Sequence, residues 1–198
     1  MVNGLINMKR LFFLGVAVLI ISFCCISAAP QRINNERFKQ EFLDRINQAR
    51  RKGCNCGHTY FPPAPPLIWN DDLENAARGH ALDMSERNYF SHTSKDGRSM
   101  SDRVTEAGYN FKGYKSFIVG ENIAQGQMSI PEVMDGWLKS EGHCRNLMNP
   151  MFKEVGVSEI DHYWVQDFGG RVPFSPREQE LIKSGRYKLI QKDVTRGH

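Results

Sequence analysis

The chain has 198 residues, with 26 Lys and Arg against 22 Asp and Glu and a formal net charge of +4. Setting aside Lys9 and Arg10 with the N-terminal segment lowers that charge to +2, too little to argue for nucleic acid or an anionic membrane as partner. About 170 residues then remain, enough for one hydrophobic core and too few for two full domains.

Lys9 and Arg10, the apolar run Leu11 to Ile26, and the small residues Ser27, Ala28 and Ala29 are the three parts of a secretory signal peptide over residues 1–28. Cleavage is expected after Ala28, because Pro30 is a poor first residue. The apolar run falls short of the roughly 20 residues that span a bilayer, so no stable membrane span is expected after signal removal. Cys24 and Cys25 follow apolar residues as a lipid-anchored cysteine does, but Phe23 stands where that cut requires a small residue. The expected destination is the extracellular space or the cell envelope.

From Asn35 to Lys52, Phe38, Phe42, Leu43 and Ile46 recur at helical spacing, with Arg50, Arg51 and Lys52 in the last turn and Gly53 as the stop. The next stretch, Gly53 to Pro66, carries Pro62, Pro63, Pro65 and Pro66 and reads as a loop. A second helix is expected from Asn70 or Asp71, with the stripe Leu73, Ala76, Ala77, Ala81 and Met84; His80 shares that face as a core histidine. A short helix follows over Ser99 to Ala107, and another from a capping box at Ser129 and Glu132, turning Val133, Met134, Trp137 and Leu138 inward. Strands are expected near Lys115 to Val119, Glu154 to Ile160 and Tyr163 to Gly169, the last two joined by a tight turn at Asp161 and His162. Ser175, Pro176 and Glu178 start a final basic helix carrying Arg177, Lys183, Arg186 and Lys188, and the last dozen residues read as a frayed tail. Helices mixed with a few late strands predict an α+β or layered α/β/α domain.

Three cysteines outlast the signal: Cys54, Cys56 and Cys144. In an exported chain the default is a disulfide. Cys54 and Cys56 are too close to pair readily with each other, so one of them is expected to meet Cys144 and the other to be left over. Polar residues outside the amphipathic pattern gather in Tyr89 to Gly97, Gly120 to Gly126 and Trp137 to Asn146, read as loops or element ends. Among them His92, His143 and Glu121 are donor types suited to zinc or another divalent ion, although far apart in sequence.

Leu67-Ile-Trp-Asn, the Ala76 to Met84 helix, Phe90-Ser-His-Thr, Gly120-Glu-Asn-Ile-Ala, Trp137 through Gly142-His-Cys-Arg-Asn, Val155-Gly-Val and Tyr163-Trp-Val-Gln follow one another in order. This series resembles the CAP superfamily, the SCP-domain proteins comprising cysteine-rich secretory, antigen 5 and pathogenesis-related 1 proteins, and is closest to the short bacterial-type branch. The resemblance covers roughly Phe38 to Gly170. It implies a three-layer α/β/α sandwich over residues 34–170, followed by a basic helix and tail over 171–198. It also implies a cleft with His92, His143 and Glu121. The family's second acid falls at Ser140 here, with Glu141 next along. One step on a helix turns a side chain by about 100°, so a full acidic pair does not follow from the motif. The same resemblance implies a Cys56–Cys144 bond, leaving Cys54 as the odd thiol.

The cleft and the lack of a recognisable catalytic order favour a secreted binding module over an enzyme. Its partner would be an extracellular or cell-envelope ligand or protein. No cofactor is required, and zinc or another divalent cation is the candidate ion, held by His92 and His143. A protease-like hydrolase using Ser140, His143 and Glu121 is the alternative, with lipid or sterol binding as a third reading.

Overall fold

The computed structural model describes residues 29–187, with side chains from Asn35 onward. The expected signal peptide (1–28) and the final residues of the tail (188–198) lie outside that range. The chain divides into two units at Glu41 and Phe42. The first contributes the start of helix α1 (Ala29–Lys52), which begins earlier than the apolar spacing predicts. The second carries β1 (Cys54–Cys56), β2 (Thr59–Phe61), β3 (Ile68–Trp69), α2 (Asp71–Glu86), α3 (Met100–Glu106), β4 (Ser116–Gln125), α4 (Ile130–Lys139), α5 (Glu141–Met148), β5 (Glu154–Ile160), β6 (Tyr163–Val172) and α6 (Pro176–Lys183). Among the described residues no helix is long and apolar enough to cross a membrane.

Within this second unit, four strands form one sheet in the order β3-β5-β6-β4, with β3 parallel to β5 and the other pairs antiparallel. Strand β6 is buried continuously from Tyr163 to Gly170. A strand with one solvated face would alternate, so both faces of this sheet are covered. Tyr163, Val165 and Ile123 pack on Ala77, Ala81 and Met84 of α2. Residues of opposite parity face the other way: Trp164 meets Phe42 at 6.1 Å between ring centroids, and Phe168 stacks on Phe152 at 5.2 Å. Phe42 also packs on Trp137 of α4 at 6.4 Å. The domain is therefore an α/β/α sandwich, with α2 and α3 on one face and the second half of α1, α4 and α5 on the other.

Two glycines set how closely the layers approach. A Cβ on Gly156 would lie 2.0 Å from the Glu74 backbone nitrogen, so β5 touches the first turn of α2 directly. A Cβ on Gly169 would lie 2.3 Å from the Tyr109 ring. The helices begin where capping chemistry directs. Asn70 Oδ1 accepts from Leu73 N at 3.1 Å, and Ser99 with Asp102 and Ser175 with Glu178 form complete capping boxes. The box predicted for Ser129 is half made: Ser129 Oγ accepts from Glu132 N, whereas Glu132 Oε2 accepts from Met128 N. Asp161 and His162 both have positive φ, 49° and 64°, as a two-residue hairpin turn requires.

Several expectations differ from the fold where the site is built: the stretch Gly53 to Pro66, read as a loop, contains the β1–β2 hairpin, and α5, which carries His143, lies where no separate helix is expected. The strand expected to stop at Val119 continues to Gln125, so Gly120 to Gln125 is strand rather than loop. Arg50, which reads as an ordinary basic residue closing α1, is fully buried. Its guanidinium donates to the carbonyls of Pro65 (2.6 Å), Leu147 (2.7 Å), Asn149 (3.1 Å) and Phe152 (3.3 Å), and burial lowers its pKa to about 10. One side chain thus ties the proline-rich loop to the end of α5.

Candidate functional site

Strand β4 lies at the edge of the four-stranded sheet. Neighbouring residues of an edge strand point to opposite layers, and Glu121 and Asn122 use this to join the two halves of the site. On the α3 side, Glu121 is buried: Oε2 accepts from Arg103 Nη2 at 2.6 Å, and Oε1 accepts from His92 Nδ1 at 2.7 Å. Arg103 is buried too, and its Nη1 donates to the carbonyls of His92 (3.1 Å) and Arg98 (3.2 Å) and to Ser94 Oγ (3.1 Å). The guanidinium therefore neutralises Glu121 and fixes the loop that carries His92.

On the α5 side, Asn122 Nδ2 donates to Gln166 Oε1 at 3.0 Å and to the His143 carbonyl at 3.2 Å. Asn146 Nδ2 donates to Asn122 Oδ1 at 2.9 Å and to the Glu121 carbonyl at 3.0 Å. His92 and His143 thus come from opposite layers and flank one edge strand. Their electrostatics differ. The hydrogen bond to Glu121 raises the pKa of His92 above its usual value against the opposing effect of burial. Burial, and then the charge of His92, lowers that of His143. Glu121 accepts at Nδ1, so His92 donates from Nδ1 and keeps the lone pair of Nε2 when neutral. The His92 side chain is 59% exposed and borders a cleft of about 450 Å3 with Thr93, Ser99, Met100, Ser101 and Glu121.

The other predicted residues are elsewhere. Ser140 closes α4 and opens α5, and its backbone nitrogen donates to Gly136 O. Among the described residues, no hydrogen bond joins Ser140 Oγ to His143. Glu141 pairs with Arg145 at 2.6 Å on the exposed face of α5, against Gly57 of the β1–β2 turn. His80 is buried, and its Nε2 donates to Ser91 O at 2.8 Å, the role of a core histidine.

Cys56 and Cys144 form a disulfide, and Cys54 is free. The bond fastens the β1–β2 hairpin to α5 one residue beyond His143. Sequence reasoning missed Arg103 and Asp167. Asp167 is fully buried opposite Glu121 in the β4–β6 ladder, and burial, then Glu121, pushes its carboxyl well above the ordinary range. The signal for Asp167 is a lone acid beside Gln166 inside the otherwise apolar stretch Tyr163 to Gly170; Arg103 on a short helix gives none.

Residues 43–168 match the family model for CAP, the cysteine-rich secretory protein family. The chain belongs to the CAP family. Two Bacillus subtilis proteins are similar to this CAP chain: the uncharacterized membrane protein YlbC, 39% identical over 146 residues, and the uncharacterized protein YkwD, 37% identical over 108. Those matches cover 70% and 54% of this chain, which spans only about two fifths of either relative, 38% and 40%. Among solved structures, an extracellular SCP-domain protein from Bacillus anthracis is 33% identical with a TM-score of 0.55, over 66% of this chain and 39% of that one. An outer surface protein from Borrelia burgdorferi shares the fold at 23% identity and a TM-score of 0.54, over 69% of this chain and 93% of that one.

Proposed function

We propose that this CAP domain acts outside the cytoplasm as a binding module, and that its edge-strand cleft takes a divalent metal ion, zinc being the best-suited test ion, through His92 Nε2 and His143. The observation that carries the reading is the chain Arg103–Glu121–His92. Both Glu121 oxygens are already engaged, at 2.6 and 2.7 Å, so the carboxylate orients an imidazole instead of serving as a ligand. A carboxylate on Nδ1 fixes the tautomer that turns a lone pair at Nε2 outward, and it raises the basicity of that nitrogen. His143, held neutral by burial, supplies the second imidazole without having to lose a proton. The Thr93 and Ser101 hydroxyls at the rim suit the polar group of a ligand that completes the coordination. Export is supported by the N-terminal signal pattern, the Cys56–Cys144 disulfide and the extracellular and outer-surface descriptions of similar proteins.

Calorimetric titration with zinc tests the metal reading. Wild type is expected to bind one ion, and His92→Ala and His143→Ala are each expected to weaken binding by at least tenfold. Equal heats in all three proteins would remove the metal from the account.

A further inference from the structure

The free thiol of Cys54 lies 3.7 Å from the Cys144 sulfur, and the sulfurs of Cys54, Cys56 and Cys144 all lie within 4.8 Å of one another. This follows from strand geometry. Cys54 and Cys56 are two residues apart on β1 and share one face, turned toward α5. They sit with Met148 and Phe61 in one apolar cluster, where Cys56 and Cys144 are fully buried and Cys54 is half-buried. A thiol in contact with a disulfide sulfur has the elements of an exchange reaction.

We propose that Cys54, Cys56 and Cys144 form an internal thiol–disulfide exchange site in which Cys144 is the shared sulfur and its bond passes between Cys56 and Cys54. Cys54 gives its proton to water, and the thiolate attacks Cys144 Sγ. A Cys54–Cys144 bond forms as the Cys56–Cys144 bond breaks, and Cys56 leaves as a thiolate and takes up a proton. The chain is neither oxidised nor reduced, and no outside thiol is consumed.

Two arguments support Cys144 as the sulfur attacked. Attack on Cys56 would join residues about 6.7 Å apart along one strand, near the limit of disulfide geometry, whereas Cys144 approaches from another element. The two cross-links close loops of nearly equal sequence separation, 88 and 90, so they restrict the unfolded chain almost equally. Native packing therefore decides the balance, and the buried position of Cys56 favours its bond. Burial also raises the Cys54 pKa, which keeps the thiolate scarce and the exchange slow near neutral pH.

The test uses the complete mature protein, held without added thiol in a mildly alkaline buffer near about pH 8.5, where thiolate is available. It is then quenched in acid, denatured, capped with N-ethylmaleimide and mapped without reduction by tandem mass spectrometry. The expected map has the cap mainly on Cys54, with a minor, time-dependent population capped on Cys56 and cross-linked Cys54–Cys144. Cys54→Ser should abolish capping at Cys56, which assigns that population to attack by the Cys54 thiol, and a sample quenched in acid before incubation should lack it, which excludes scrambling during denaturation. Cys56→Ser, oxidised with glutathione disulfide, should form Cys54–Cys144 and leave no free thiol. Capping confined to Cys54 after prolonged incubation overturns the proposal, as does a folded Cys56→Ser protein that keeps two free thiols. Should that variant not fold, the wild-type map decides alone.

Discussion

Glu121 and Asp167 stand directly opposite one another across the β4–β6 ladder, both buried, and of the two carboxyls it is Glu121 that Arg103 binds. Among the described residues neither Asp167 oxygen receives a hydrogen bond, although the carboxyl lies within hydrogen-bonding reach of Glu121. Two ionised carboxylates have no hydrogen between them. The arrangement is satisfied when Asp167 keeps its proton and donates it to Glu121, the expected state for a carboxyl buried beside a like charge. Arg103, Glu121 and neutral Asp167 then balance in charge, leaving the two imidazoles to titrate at the cleft, His92 above its ordinary value and His143 below it.

Asp167→Asn checks this protonation. The folded pKa of Asp167 is raised, so its stabilisation is complete below the unfolded value of 3.8 and is lost as pH rises toward the folded value. Asn stays neutral and can still donate. In urea unfolding, the variant is expected to match wild type in acid and to gain on it as pH rises. Parallel curves at all pH values would show that Asp167 is ionised in the fold.

Glu121→Gln is expected to bring the His92 titration down, because the hydrogen bond that raises it is weakened while burial still lowers it. His92 stabilises the fold fully below about 6.5 and loses that contribution as pH rises through its higher folded pKa, so the variant should lose this slope. Zinc affinity should rise with pH across the same His92 titration, and its midpoint should move to lower pH in Glu121→Gln. Leaving Arg103 without its counter-charge is expected to cost up to about 3–5 kcal/mol, measured by urea unfolding.

Gly156→Ala and Arg50→Lys test the frame that holds the site. An alanine Cβ at Gly156 meets the backbone of α2, which cannot yield as a side chain does, and a loss above about 3 kcal/mol is expected. Lysine at position 50 cannot reach the four carbonyls that Arg50 serves, and the stranded carbonyls should cost about 2–4 kcal/mol. Chemical unfolding measures both.

Breaking the Cys56–Cys144 bond should lower stability by roughly 4–5 kcal/mol in the chain-entropy picture. It should also shift the His143 resonances, since Cys144 follows His143 on α5. An unmoved His143 signal after reduction would separate the bond from the cleft.

Helices α2, α3 and α6 are legible from the capping residues at their starts, Asn70, Ser99 and Ser175, whereas α5 over Glu141–Met148 has no side-chain cap and is not foreseen. The hairpin at Asp161 and His162 was legible from alternation on both sides. Glu121 and Asn122 read as loop or element end because their polar side chains erase the two-residue pattern of the strand. What stabilises them in a strand is a set of partners remote in sequence: Arg103, Asn146 and Gln166. Arg50 was missed for a related reason. A basic last turn is a usual end for a helix on an exposed face, and nothing local to Arg50 reveals carbonyls about a hundred residues away. The motif series placed His92 and Glu121 in one cleft, but Arg103 as the counter-ion and Asp167 as the buried neighbour required the register of β4 on β6.

Metal binding at the cleft depends on which nitrogen of His92 faces it, and nitrogen-detected NMR of the imidazoles measures this directly. In the metal-free protein above the His92 midpoint, Nδ1 should carry the proton and Nε2 the lone pair, and added zinc should shift Nε2 of His92 together with one nitrogen of His143. A proton on Nε2 of His92, or zinc that leaves both imidazoles unmoved, would contradict it.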